Sequence, residues 1–246
     1  MQRLNFVWGK PAPSLLPVAD LSLAIHDVLI DPAAATDALE YGDPAGPIAL
    51  RHQVATLLST FYRSPHAADE ICITAGSSQG LSTVLQVLAD PLRTKRVWLV
   101  APCFHLACRV FEDAGFAGKL RAVPETQTGI DLEYLERAML QLELEDNHEH
   151  EHGPDNEDID RALPALTTDP YAFGHTLSNG SFSKLIGPGV RTGWVSTSRS
   201  LTRAISKAGA SISGACPSQL GAAAVAQFLA TGRLTSHVSN TLLRLD

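Results

Sequence analysis

Lysine chemistry needs an approachable amine, and one stretch of this sequence is built to leave an amine approachable. In Ser178-Asn-Gly-Ser-Phe-Ser-Lys-Leu-Ile-Gly-Pro-Gly-Val-Arg-Thr-Gly-Trp194, Lys184 stands among glycines and serines, and Arg191 follows seven positions later. A lysine that bonds covalently to a carbonyl must be partly neutral, which asks for close packing and neighbours that lower its pKa. Ser181 and Ser183 can donate hydroxyl hydrogen bonds, the glycines let backbone amides approach closely, and Arg191 can grip a phosphate with paired N–H donors. Together they suit a phosphorylated aldehyde. A surface loop carrying a chance lysine and arginine would also read this way, so other stretches must decide.

Three of them bear on the question. Ile71-Cys-Ile-Thr74 is a short β-rich run followed directly by Ala75-Gly-Ser-Ser-Gln79, and Leu81, Val84, Leu85 and Leu88 then recur at helical spacing. Gly76, Ser77 and Ser78 therefore lie where a helix begins, either as a plain serine cap or as a phosphate cradle formed by first-turn amides. Arg96-Val-Trp-Leu-Val-Ala-Pro102 reads as a buried parallel strand, and Phe104 follows its end, where α/β folds carry ligands. On its own Phe104 reads as a core aromatic. Tyr41, in Tyr41-Gly-Asp-Pro-Ala-Gly46, is on its own a turn-flanking aromatic.

The words Gly180-Ser-Phe-Ser-Lys184 and Pro188-Gly-Val-Arg-Thr-Gly193 resemble the lysine motif of fold-type I pyridoxal-phosphate enzymes, in particular the class I/II aminotransferases that include the 2-aminoadipate and kynurenine enzymes. The resemblance implies a three-layer α/β/α large domain with a mostly parallel sheet. It implies pyridoxal 5'-phosphate as cofactor, held as a Schiff base on Lys184. Gly76, Ser77, Ser78, Ser181, Ser183 and Arg191 would surround its phosphate, and Phe104 would stack on its ring. Tyr41 would reach the cofactor phosphate of a neighbouring subunit, which makes the active unit a homodimer. Gly9, near the prolines of the N-terminal stretch, matches a position at the substrate entrance. The implied reaction passes an amino group from an amino acid to a 2-oxo acid. The same cofactor also supports lyase, racemase or decarboxylase chemistry, and a degenerate module that binds it without turnover is a further alternative.

Composition narrows the partners. With 19 Lys and Arg against 26 Asp and Glu, the net charge of -7 argues against nucleic acid, whose phosphates require a basic face. The apolar runs are too short to cross a bilayer and no leader is visible, so a cytoplasmic protein is expected. Cys72, Cys103, Cys108 and Cys216 form no CxxC pair, which suggests reduced thiols and no zinc site.

The elements that must position the lysine run in order. Residues 1–30 are expected as an N-terminal arm, extended because prolines recur through Pro17. Residues 31–246 form the large domain. In it Leu50, Val54, Leu57, Leu58 and Phe61 mark one amphipathic helix, ending near Pro65, and helices and strands alternate to a helix over 132–144. An acidic loop at about 145–174 then interrupts the pattern. Its His148, His150 and His152 alternate with glutamates, but ligands in an unstructured loop lack the outer shell that fixes a metal, so no metal site is expected.

Within that loop region the resembled family carries two buried strands, with an Asn-Pro-x-Gly turn and an aspartate that keeps the pyridine nitrogen protonated. Neither word occurs in its context here. Asp169-Pro-Tyr171 imitates the second, yet it lies close to Lys184 and its proline suits no central strand. The C-terminal small domain of the family is likewise expected to be absent. The expectation is a large domain whose sheet is incomplete in the middle, leaving two groups of strands with no ladder between them.

Overall fold

The computed structural model describes residues 9–150 and 176–243. Helices α1 (Val18–Ile30), α2 (Pro32–Leu39) and α3 (Ile48–Tyr62) lead to strand β1 (Ile71–Thr74) and helix α4 (Ser77–Leu88). Strand β2 (Val97–Ala101), helix α5 (His105–Phe111), strands β3 (Leu120–Thr126) and β4 (Gly129–Ile130) and helix α6 (Leu132–His150) follow. Strands β5 (Leu177–Ser181) and β6 (Gly193–Thr197) precede α7 (Arg199–Ser206), α8 (Gly209–Ile212), α9 (Gln219–Ala230) and α10 (Arg233–Leu242). No described helix is long and apolar enough to cross a membrane.

The fold is α/β, as expected, with a partial sheet. The chain divides into two compact units at Val87 and Leu88, and each has its own three-stranded sheet. In the first unit the order is β1-β6-β5, with β6 antiparallel to both neighbours, so β1 and β5 run the same way. In the second, β2 and β3 pair in parallel and β4 returns antiparallel to β3. The reversal of β6 refines the expected mostly parallel sheet. Only a turn and one helical turn at Pro188–Val190 separate β5 from β6, too little chain for the helical crossover a parallel neighbour needs.

The first unit's core gathers Leu50, Val54 and Leu58 of α3, Ile71 and Ile73 of β1, Phe182, Ile186 and Trp194 around the lysine stretch, and Ala222, Val225 and Phe228 of α9. These side chains bury the apolar stripe of α3 as its periodicity requires, but Phe61, in the last turn, is exposed. On the side of β1 away from β6, the Ile73 amide donates to the Ala45 carbonyl at 2.8 Å. Gly46 lies so close there that a Cβ would stand 2.4 Å from the Ile73 Cβ.

Two boundaries differ from expectation. Residues 18–30 are not an extended arm but α1, whose Ala24 and Val28 are buried. The prolines stop at Pro17, which ends the restriction on helix formation and stands at the N-cap. Residues 145–150, expected in the interruption, are helical instead, because α6 continues through His150. Acidic residues make a segment soluble without making it irregular, and Glu and Leu are good helix formers. The remainder of the acidic stretch, with Asp169-Pro-Tyr171 and His152, lies outside the described residues, as do the side chains of His148 and His150.

Candidate active site

Strand register builds the site. Thr74 of β1 stands opposite Gly193 of β6, and Gly193 stands opposite Ser181 of β5, so three strand ends meet in one row. The approach is tight: a Cβ on Gly193 would lie 2.5 Å from the Gly180 carbonyl oxygen and 2.8 Å from the Gly76 Cα. Only glycine fits there.

From this row the chain climbs into the lysine loop, which is anchored on both sides. Phe182 and Ile186 are buried, and the Phe182 ring lies 4.9 Å from that of Trp194 between centroids. The Phe182 carbonyl accepts from the amides of Leu185 at 3.1 Å and Ile186 at 2.8 Å, closing a turn. Lys184 sits between the two anchors and is therefore turned outward and exposed. Its Nζ donates to the Gly9 carbonyl, so the lysine and the N-terminal stretch meet. Ser181 Oγ donates to Ser183 Oγ at 2.8 Å and accepts from the Ser183 amide at 3.1 Å.

Arg191 adopts a left-handed backbone, φ 49°, which costs a residue other than glycine about 1–2 kcal/mol. That conformation carries its side chain back across the loop. Nη1 donates to the Pro188 carbonyl at 3.0 Å and Nη2 to the Ala75 carbonyl at 2.6 Å. The guanidinium is thereby laid on Gly76, where a Cβ would meet Nη2 at 2.5 Å. Gly76, itself at φ 99°, immediately precedes the first turn of α4. The first-turn amides of a helix have no partner within it and face an anion favourably. Gln79 Oε1 accepts from the Ala75 amide at 3.0 Å, which turns that donor inward and shapes the entry to α4.

The residues expected to form the site thus divide. Gly76 and Arg191 are in contact, Ser181 and Ser183 are hydrogen-bonded to each other close to Lys184, and Ser77 and Ser78 open α4 directly beside Gly76. Tyr41 is 86% exposed and leans on Gly214, where a Cβ would be 2.2 Å from the ring. It also lines a hollow of about 490 Å³ among α1, α2, α3 and α9. Phe104 belongs to the second unit, where it stands exposed at the N-cap of α5 with its ring 5.5 Å from that of His105. Sequence reasoning passed over Gly193, Gln79 and Asn179, whose side chain reaches the carbonyl of Ser77 at 2.8 Å.

Residues 13–149, more than half of the chain, match the family model described as aminotransferase class I and II. The chain belongs to that family. Aminotransferases of this family are pyridoxal-phosphate enzymes, and the fold described above is theirs. The multiple substrate aminotransferase of Thermococcus profundus superposes with a TM-score of 0.71 at 23% identity, and the kynurenine aminotransferase of Pyrococcus horikoshii with 0.72 at 21%. Each match covers 94% of this chain but 65% of the solved one, so the chain spans under two thirds of their length. An uncharacterized protein of Saccharomyces cerevisiae, YER152C, is 27% identical, over 94% of this chain and 72% of the relative. That alignment runs over 318 positions against a chain of 246, so at least 72 of them have no counterpart here.

The residues present fit the phosphate end of the family's cofactor. Gly76 lets the Arg191 guanidinium lie where a Cβ would stand, and that guanidinium, the first-turn amides of α4 and the Ser181 and Ser183 hydroxyls at the end of β5 are donors of the kind that suits a phosphate dianion.

Proposed function

We propose that this chain is a pyridoxal-phosphate-dependent aminotransferase, which moves the amino group of an amino acid to a 2-oxo acid and works as a homodimer. One observation carries the reading. The guanidinium of Arg191 lies on Gly76 at the start of α4, although 115 residues separate them, and Lys184 leaves the same strand end. A phosphate seated there would be held by Arg191 and by the amides of Ser77 and Ser78, with Ser181 and Ser183 supplying hydroxyl donors.

Lys184 is the amine that would hold the cofactor's aldehyde carbon. Once freed by substrate, it is the base positioned to take the proton from the substrate Cα and return it on the far side of the transfer. The bound cofactor supplies an electron sink for the pair left behind. Tyr41, with its ring exposed, would complete the phosphate site of a second subunit.

A second reading, a cofactor-binding module without turnover, is favoured by the 72 or more positions of the yeast relative that lack a counterpart. The expected lack of an aspartate partner for the ring nitrogen supports the same reading. Absorbance of the purified chain with added pyridoxal phosphate tests both readings. Binding on Lys184 gives a band at the edge of the visible range, fixed by borohydride and absent in Lys184→Ala. Loss of the band with an amino acid and its return with a 2-oxo acid establishes transfer. A band that ignores both substrates establishes the silent module, and no band with the wild-type chain refutes the proposal.

A further inference from the structure

The first carbonyl of α4 is fastened from below. Ser77 O, which as a helix residue accepts a bond from within α4, also accepts from Asn179 Nδ2 at 2.8 Å. The preceding carbonyl is held in the same manner: Thr74 Oγ1 donates to Gly76 O at 3.2 Å. Two consecutive carbonyls at the mouth of α4 are thus tied to the sheet, one to β1 and one to β5.

Asn179 is an expensive way to make that tie. Its Oδ1 is buried with no hydrogen-bond partner. The same oxygen lies 2.8 Å from where a Cβ on residue 80 would stand, so the amide also requires glycine at that position of α4. An unsatisfied buried acceptor works against folding, and an apolar side chain of equal size would carry no such burden. What an apolar residue could not do is grip a carbonyl. Strand alternation places Asn179 on the same face of β5 as Ser181, two residues nearer the lysine loop. The side chain that holds α4 and the hydroxyl beside the lysine therefore belong to one rigid strand.

We infer that Asn179 is a positioning residue for the phosphate of a phosphorylated aldehyde: by tying α4 to β5 it fixes the spacing between the helix amides and Lys184. The inference rests on the functional reading above and concerns only the phosphate half of the ligand. It assigns Asn179 no contact with ligand.

Asn179→Leu, nearly equal in shape, removes the donor and the orphaned oxygen together, and Asn179→Ala repeats the test without added bulk. Three quantities are measured on each purified full chain: the thermal midpoint without ligand, the Kd for pyridoxal 5'-phosphate, and the Kd for pyridoxal, which has the aldehyde but no phosphate. The expected result is a midpoint equal to or above wild type, pyridoxal phosphate bound about tenfold more weakly, and pyridoxal unchanged. Pyridoxal phosphate affinity within twofold of wild type overturns the inference while leaving the functional reading intact. A fallen midpoint with equal losses for both aldehydes also overturns it, because Asn179 is then a structural fastening alone. A wild-type chain that binds no pyridoxal phosphate brings down the functional reading and this inference with it.

Discussion

Replacing Gly76 by alanine separates two costs that the geometry keeps distinct. The first is conformational. At φ 99° a Cβ is strained whatever its surroundings, and roughly 1–2 kcal/mol of stability is lost on that account. The second is displacement of Arg191, because the new methyl would stand 2.5 Å from Nη2 and 3.2 Å from Cζ. The guanidinium is the free end of a long side chain and can swing away, but doing so breaks its 2.6 Å bond to the Ala75 carbonyl. A hydrogen bond from a charged group is worth about 1.5–3 kcal/mol. In an exposed setting the lower end applies, so Gly76→Ala should destabilise the chain by about 2.5–3.5 kcal/mol in total. A swung guanidinium no longer covers the start of α4, and pyridoxal phosphate should bind some 10- to 100-fold more weakly, as loss of one charge-assisted contact implies. Urea unfolding gives the first quantity and an absorbance titration gives the second. The discriminating control is Arg191→Ala combined with Gly76→Ala: with no guanidinium to displace, the alanine should cost only its conformational part. A stability loss under about 0.5 kcal/mol with unchanged binding, on the scale of ordinary surface substitutions, would refute the placement of Arg191 on Gly76.

Other substitutions probe the same framework. Arg191→Lys keeps the charge but cannot reach the Pro188 and Ala75 carbonyls together, so cofactor affinity should fall about tenfold and stability by about 1.5 kcal/mol for the lost carbonyl bond; equal affinity in a titration would count against paired N–H recognition. Gly180→Ala would set a methyl 2.2 Å from the buried Trp194 ring, and overpacking of that kind should cost about 3 kcal/mol or prevent folding, as read by urea midpoint and near-ultraviolet circular dichroism. The Cys72 thiol is pushed up to about 12 from 9.0, chiefly by burial and next by the neighbouring Cys216. Because the folded state keeps that proton longer than the unfolded one, its contribution is complete below pH 9.0 and is lost as pH rises toward about 12. Unfolding free energy should therefore fall across that window by up to about 1.4 kcal/mol per pH unit more in wild type than in Cys72→Ala, and parallel pH profiles would contradict the burial of the thiol.

Several residues of the candidate site stand out in the chain alone, because glycine, lysine and arginine at fixed offsets carry their constraints locally. Gly76 was recognisable where a β-rich run passed into a helical stripe, and Arg191 by its distance from Lys184. That the two touch was not readable, since it depends on the pairing of Thr74 with Gly193 and Ser181 across three strands. The early helices escaped notice for a different reason. Prolines through Pro17 dominate that part of the sequence, while weaker signals lie just beyond them: Asp31 caps α2 by accepting from the amides of Ala33 and Ala34, with Pro32 at its first position. The reversed direction of β6 follows from a connection without a crossover helix, which βα alternation elsewhere in the chain does not announce. Phe61 fitted a helical stripe yet lies exposed, for periodicity says which side chains share a face and not how far the neighbouring layer extends.

The loop laid against β1 has a bearing on how this sheet could grow. With the Ile73 amide already taken by Ala45 and Gly46 pressed onto its side chain, that flank is closed to any newcomer. Extension can proceed only from the opposite flank, along β5, which leads straight into the lysine loop. A strand docking there would run beside Asn179 and Ser181, at the foot of the loop that carries Lys184.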